Sequence, residues 1–521
     1  MRKLVLFLAV IMISSTAIVF GQTVEPDWGP VRELEKGTYF HKIAGYDKDG
    51  YLLVRSNSIL KVTNNKIYIE YYSSVSNDME SIGEVLLPTV NGVQSAYEDI
   101  FYISGKIILF TSAVQGTLRT LYVQYLNNDG TLKNKPRELG SIPISNVPSD
   151  RFKFKVYSES QILAYWNNSF LQYNAEPFTF KIINSNLIDD FSETIELPLK
   201  ERSFEVVQTA VTKNKTILVL VKAEVVSTKK SVTTQYENIL LVYNPKSKEF
   251  TPMKIEADKY VPLNIAFGFD AEENIVLGGF FANKTRKIEN EFIGVFYQII
   301  NPRTLKVVSN DPKKNYKVFD KNFLLGFMAK RNGETPQQYW NFALKDIVVF
   351  ENKAIAFIAE QSYTAQKTMI DPGSKAETII NYYYFNDLLV FGVNKEGAVD
   401  WYKQIAKNQE SLDDNGYWHS YVALKNVNQV KILFNDNPAN LKNKVAEKTK
   451  VLKNNPNTNK VTGQATMISI FADGSYEKYA LFPDKDSKVC ILPKVILPTT
   501  KRVLAGCQEV KAVKFGTFAF E

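Results

Sequence analysis

The chain has 521 residues, 45% hydrophobic and 23% charged, with 25 Gly, 20 Pro, 2 Cys and 2 His. That much apolar surface can offset the entropy of ordering, which excludes a disordered chain, and the composition excludes collagen and small disulfide scaffolds. Two histidines leave little room for zinc, haem or His-based acid/base chemistry. The length allows about three average domains, or one large all-β unit.

At the N-terminus, Arg2 and Lys3 precede an apolar run from Leu4 to Phe20 and then Gly21. A short basic region, an apolar core and a small residue predict a secretory signal peptide over 1–21, cleaved near Gly21. The alternative is an uncleaved membrane anchor, since the run approaches spanning length. The mature chain, 22–521, is expected as one exported domain, periplasmic or secreted, with no further membrane span. Loss of Arg2 and Lys3 takes two charges from the formal +8, leaving +6. The basic residues are mostly Lys, whereas phosphate and base readers favour Arg forks, so nucleic-acid binding is not indicated.

Along the chain, helical periodicity is nearly absent. Short runs rich in Val, Ile, Tyr and Phe recur between Gly, Asn, Asp and Pro, as at Lys66–Tyr72, Thr216–Lys222, Asn274–Phe281 and Val430–Phe434. These are β-strands bounded by turns. One unit repeats: an apolar strand, a polar turn and a more amphipathic strand. It stands at Leu121–Gly130, Leu240–Phe250, Val295–Arg303, Leu388–Gly397 and Met467–Gly474. Its turns fall near residues 78, 129, 186, 246, 302, 396 and 473. The first five are spaced by roughly 50 to 60 residues, a four-stranded blade with loops. The two longer gaps hold Lys-rich insertions at about 311–338, with a helix-like Asn322–Ala329, and at about 440–460.

Three strands remain at the C-terminus: Val489–Ile496, Arg502–Cys507 and Ala512–Phe520. Trp28–Gly37 can join them, closing a ring and removing sheet edges. The expected fold is an all-β propeller of about eight four-stranded blades, alternatively seven, closed by N- and C-terminal strands. A membrane β-barrel is the competing architecture; most of these strands are shorter than a bilayer requires. In an oxidising compartment Cys490 and Cys507 are expected to form a disulfide, closing a loop of about 16 residues and contributing roughly 3 kcal/mol. Two buried thiols on separate strands are the alternative.

The most distinctive stretch is Tyr382–Ile405. Within it, Gly397 and Trp401 have the spacing seen in blades of quinone-binding propellers, where the Gly permits a turn and the Trp packs between sheets. The segments Ala359–Tyr363, Tyr384–Val390, Trp401–Ile405, Ser420–Tyr421 and Phe434–Pro438 together resemble a family of uncharacterised exported proteins of Bacteroidota. The resemblance is strongest over about 340–440. Glu360, Asn386 and Asp436 match the family's recurring positions, and the resemblance implies compartment and lineage without an activity.

Trp418, His419, Asn435, Asp436 and Asn437 mix aromatic and polar groups at strand ends, as a small ligand site on one propeller face would. Equally, Asn435–Pro438 reads as a capped turn. His419 has no base partner nameable from sequence. Asp47–Gly50 begins like a calcium loop but lacks the later ligands, so a hairpin turn is expected, with no metal and no cofactor. The leading expectation is a non-catalytic binding propeller of the cell envelope, its partner an envelope protein or a glycan. The alternatives are a carboxylate-dependent hydrolase or lyase on a polysaccharide or peptide, and an outer-membrane barrel. Carboxylates converging with an Arg would favour the enzyme; a Lys-lined funnel would favour binding.

Overall fold

A computed structural model describes residues 24–519 except 36, 63, 65, 145–151, 168–176, 200–202, 226–235, 286–290, 309–311, 328–337, 339, 371–372, 374–375, 427–428, 443–447, 455–462, 487, 499–502 and 510–511. The expected signal peptide lies outside the described residues, as do 311 and 328–337 of the first expected insertion and 443–447 and 455–460 of the second.

The strands form eight sheets of four or more strands, six of them plain antiparallel meanders in sequence order; the sixth sheet adds a parallel pair, Gln409–Leu412 with Leu452–Asn454, and the eighth takes in strands from the N-terminal side. Sheet 1 runs from Tyr39 to Glu84, sheet 2 from Ala96 to Pro143, sheet 3 from Phe152 to Glu196 and sheet 4 from Phe204 to Lys254. Sheet 5 spans Val261–Val318, sheet 6 Phe342–Leu412 with Leu452–Asn454 added, and sheet 7 Val422–Ala480. Sheet 8 contains Cys490–Pro498, Val503–Glu509 and Ala512–Phe518, and its last strand takes up Asp27–Trp28 and Arg32–Glu33. The register sets Trp28 opposite Gly516 and Arg32 opposite Val513. Each repeated turn of the sequence joins the third and fourth strands of one of sheets 1 to 7.

Packing explains why the strands differ. In sheet 4, Ile217-Leu-Val-Leu-Val221 is wholly buried, because its alternate side chains enter two different interfaces. In sheet 3 the fourth strand, Asp189–Glu196, alternates along the rim between exposed side chains and ones that are half-buried or, at Ile195, buried. Apolar clusters fill the gap between each pair of successive sheets, from sheets 1 and 2 through sheets 2 and 3 to sheets 7 and 8. A last cluster joins sheet 8 back to sheet 1 through Val495, Val513 and Phe515 against Phe40, Leu53 and Tyr72. The sheets therefore close into a ring, an all-β propeller whose termini meet in one sheet. A barrel would need a single continuous sheet, and these strands divide into separate ones.

First strands lie innermost: those of sheets 8 and 1, 1 and 2, 4 and 5, 5 and 6, and 7 and 8 approach one another. One short helix, α1 (Lys321–Phe327), stands where the helix-like segment was expected.

The expected disulfide is not formed. Cys490 and Cys507 are free and fully buried. The register pairs Cys490 with Gln508 and Cys507 with Ile491. Opposed residues share a face, so the two thiols, one position out of step, point to opposite faces of sheet 8.

Candidate functional site

Two irregularities in sheet 6 build the site. The first strand bulges between Leu344 and Asp346, which releases Lys345 from the regular alternation. On the next pair of strands the register shifts between Glu360 and Ser362, taking up Asn386 and Asp387. Between sheets 6 and 7 the chain then makes a strap, Asp413–Tyr421. The strap leaves its own interface and seats Tyr417 and Trp418 in the cluster between sheets 8 and 1. Asp413, Asn415, Gly416 and Ser420 all take positive φ, as so tight a path demands.

Glu360 is fully buried at the root of the strap. Its carboxylate accepts from Lys407 Nζ at 2.7 Å, from Ser420 Oγ at 2.7 Å and from Lys345 Nζ. Lys407, also fully buried, donates further to the carbonyl of Phe385 at 2.9 Å and to Gln409 Oε1 at 3.0 Å. Its three protons are thus all used. Burial alone would raise the Glu360 carboxyl; Lys407 and Lys345 outweigh it and hold the group below its ordinary value. Burial pulls Lys407 down against the attraction of Glu360. Lys345 differs: its side chain is 34% exposed, so its ammonium binds Glu360 and still meets solvent. Beside it, burial raises the Asp346 carboxyl against the lowering influence of Tyr421 and Lys345.

On the far side of the strap, burial raises Asp414, whose Oδ1 accepts from Gly416 N at 2.9 Å. Lys494, on the first strand of sheet 8, is lowered by burial and raised in part by Asp414. It reaches solvent all the same. His41 on sheet 1, paired with Ser56 Oγ at 2.9 Å, is lowered to about 4 by burial, with a smaller contribution from Lys494. Lys155, on the first strand of sheet 3, is a further solvent-reaching lysine lowered by burial. Arg32, Arg55, Arg119 and Arg137 are each paired with a carboxylate away from this site.

The five residues singled out in the sequence divide into two groups. Trp418, His419 and Asn435 come together: Asn435 Nδ2 donates to the carbonyls of Trp418 at 2.7 Å and Ile491 at 2.8 Å, and its Oδ1 accepts from Ile491 N at 2.9 Å. Asn435 thus ties the strap to sheets 7 and 8. His419 is buried, stacked 6.3 Å from Phe385, and lowered to about 3 by burial and by Lys407. Neither of its ring nitrogens has a hydrogen-bond partner among the described residues. Asp436 and Asn437 face elsewhere. Asp436 accepts from Lys478 Nζ at 2.7 Å and Asn440 Nδ2 at 2.8 Å. Asn437 caps the 3-10 turn Pro438–Asn440, accepting from Ala439 N at 3.1 Å. Asp47 spends its carboxylate on its own turn and on Tyr71 and Tyr102, as a hairpin residue does.

Lys345, Lys407, Gln409 and Lys494 were not singled out from sequence. A lone Lys in a strand has no local pattern, and only the bulges and the strap bring these groups to Glu360 and Asp414.

No protein family matches the chain, and no curated protein does. Among solved structures it is similar to an ulvan lyase described as a new polysaccharide lyase family, with a TM-score of 0.37 and 9% identity over 86% of this chain and 96% of that one. It is also similar to an uncharacterised protein from Listeria monocytogenes, with a TM-score of 0.34 and 10% identity over 82% and 95%. A protein of unknown function from Bacteroides caccae matches at 0.26 and 11% identity over 68% and 94%. Likeness at this level carries no argument about activity.

Proposed function

We propose that this is an exported propeller of the cell envelope that binds an acidic glycan along the inner strands of its ring. The observation that carries the reading is the sign of the reachable charges. Lys155, Lys345 and Lys494 meet solvent on first strands, where they outnumber the one exposed carboxylate of the described first strands, Glu205 of sheet 4, whereas Glu360 is sealed between two lysines. A carboxylate neutralised and fully hydrogen-bonded in this way is held out of acid/base work, while the lysines keep donors for sulfate or carboxylate groups. The test is binding of the mature chain to paired acidic and neutral polysaccharides across a salt series. Lys345→Ala combined with Lys494→Ala should weaken acidic-glycan binding at least roughly tenfold with the far-UV spectrum unchanged. Equal affinity for neutral chains would overturn the reading.

A hydrolase or lyase is the second reading, favoured by Asp346, a half-buried carboxyl raised by burial beside Tyr421 and the reachable Lys345. Such a group can hold a proton for a leaving oxygen. It predicts turnover of an acidic polysaccharide that Asp346→Asn abolishes while binding persists.

A further inference from the structure

The second and third strands of sheet 6 are far longer than their neighbours. Ile355–Ile370 and Glu377–Val393 stay paired out to Ile370 opposite Glu377. Their supports stop earlier: the first strand ends at Phe342 opposite Gln361, and Gln409–Leu412 reaches only Tyr382. The hairpin therefore projects as an arm. One of its faces is stiffened by near-parallel rings, Tyr363 on Tyr384 at 4.7 Å and Tyr384 by Tyr382 at 6.4 Å, with Lys367 4.5 Å over Tyr382. The tip leaves Met369, Ile370 and Ile379 more than half exposed.

Among the described residues, no strand pairs with the other edge of Thr364–Ile370. Natural edges are blunted by charges, Pro or bulges. This one has Lys367 as its only charge and no Pro.

We propose that this edge is a homodimerisation surface, on which Thr364–Thr368 pairs antiparallel with the same residues of a second copy. Opposed side chains in an antiparallel ladder share a face, so a two-fold pairing must centre on a residue and not between two. Centring on Lys367 would oppose two ammonium groups, which is unfavourable. Centring on Gln366 opposes two amides, sets Lys367 against Ala365 and sets Thr364 against Thr368. The one charge on the edge is thus placed so that the strand can pair with itself. A stiff arm also has less motion to lose on docking.

Sedimentation of the full mature chain over a concentration series should show a dimer. Gln366→Cys should cross-link two chains under mild oxidation on a non-reducing gel, since residue 366 faces its own copy; Cys490 and Cys507 are buried and do not contribute. Val75→Cys, at an exposed turn, is the control and should not cross-link faster than diffusion allows. Gln366→Lys should weaken the dimer several-fold with secondary structure unchanged, since its exposed side chain gives up a surface hydrogen bond to Asn381 across the hairpin and no core packing. A monomer at every concentration, a dimer that Gln366→Lys leaves unaltered, or cross-linking equal to the control would each overturn the proposal.

Discussion

Glu360 ties together three partners that come from separate parts of sheet 6 and the strap. Removing its charge leaves Lys407 buried beside neutral oxygens, and breaking a buried pair from one side costs several kcal/mol. Glu360→Gln should therefore lower unfolding free energy by about 3 kcal/mol, measured by urea titration at neutral pH. His419 acts through pH. Its folded value of about 3 lies below the ordinary 6.5, so its contribution is complete above pH 6.5. As pH falls the unfolded chain takes up the proton first, and the contribution is lost progressively down to about pH 3. The full loss is on the order of 5 kcal/mol. His419→Phe, which keeps the stack on Phe385, should flatten the fall in melting temperature between pH 6.5 and 4. An unchanged acid limb would mean that His41 and the carboxylates set it. The sequence placed His419 in a candidate ligand site; that its ring nitrogens find no hydrogen-bond partner among the described residues follows from burial, which no neighbouring residue reveals.

Among elements, the strap decides how the ring is filled. Gly416 has φ +65°, and a Cβ there would fall 2.2 Å from the Phe385 ring. Gly416→Ala should cost about 2 kcal/mol or more from backbone strain and the clash together. The loss should be local: hydrogen exchange should rise over Asp413–Tyr421 before it rises in the strands. The turn residues themselves were legible, because Asp413, Asn415 and Gly416 tolerate left-handed backbone. Where the strap goes was not. Tyr417 and Trp418 fill the seam between sheets 8 and 1, which neither of the sheets flanking the strap in the chain borders. The segment Asn435–Pro438 shows the opposite case: its turn reading was available from the residues, and the cap by Asn437 follows from that chemistry.

At the scale of the whole molecule, Trp28 anchors the N-terminal strand onto sheet 8. Its ring packs over Gly516, its Nε1 donates to Asp486 at 3.0 Å, and Lys514 lies 4.0 Å from its face. Trp28→Ala should cost roughly 3 to 5 kcal/mol and raise hydrogen exchange in Ala512–Phe518 above that in the middle strands of sheet 4. Equal protection in both places would show that the terminal pairing does not hold the ring.

The amino-acid sequence by itself determined the strand content, the recurrent third-to-fourth hairpin and the meeting of the two ends. Each of these rests on local period, turn chemistry or a count of leftover strands, which neighbours in the chain specify. Tertiary structure alone decided the rest. It left Cys490 and Cys507 apart, because a one-residue difference in register puts them on opposite faces. It drew Lys345, Glu360 and Lys407 into one buried cluster, because bulges and a strap can bring together residues that share no sequence pattern. The long hairpin was likewise written as an apolar, tyrosine-rich stretch, yet only the ends of its supporting strands make it an arm.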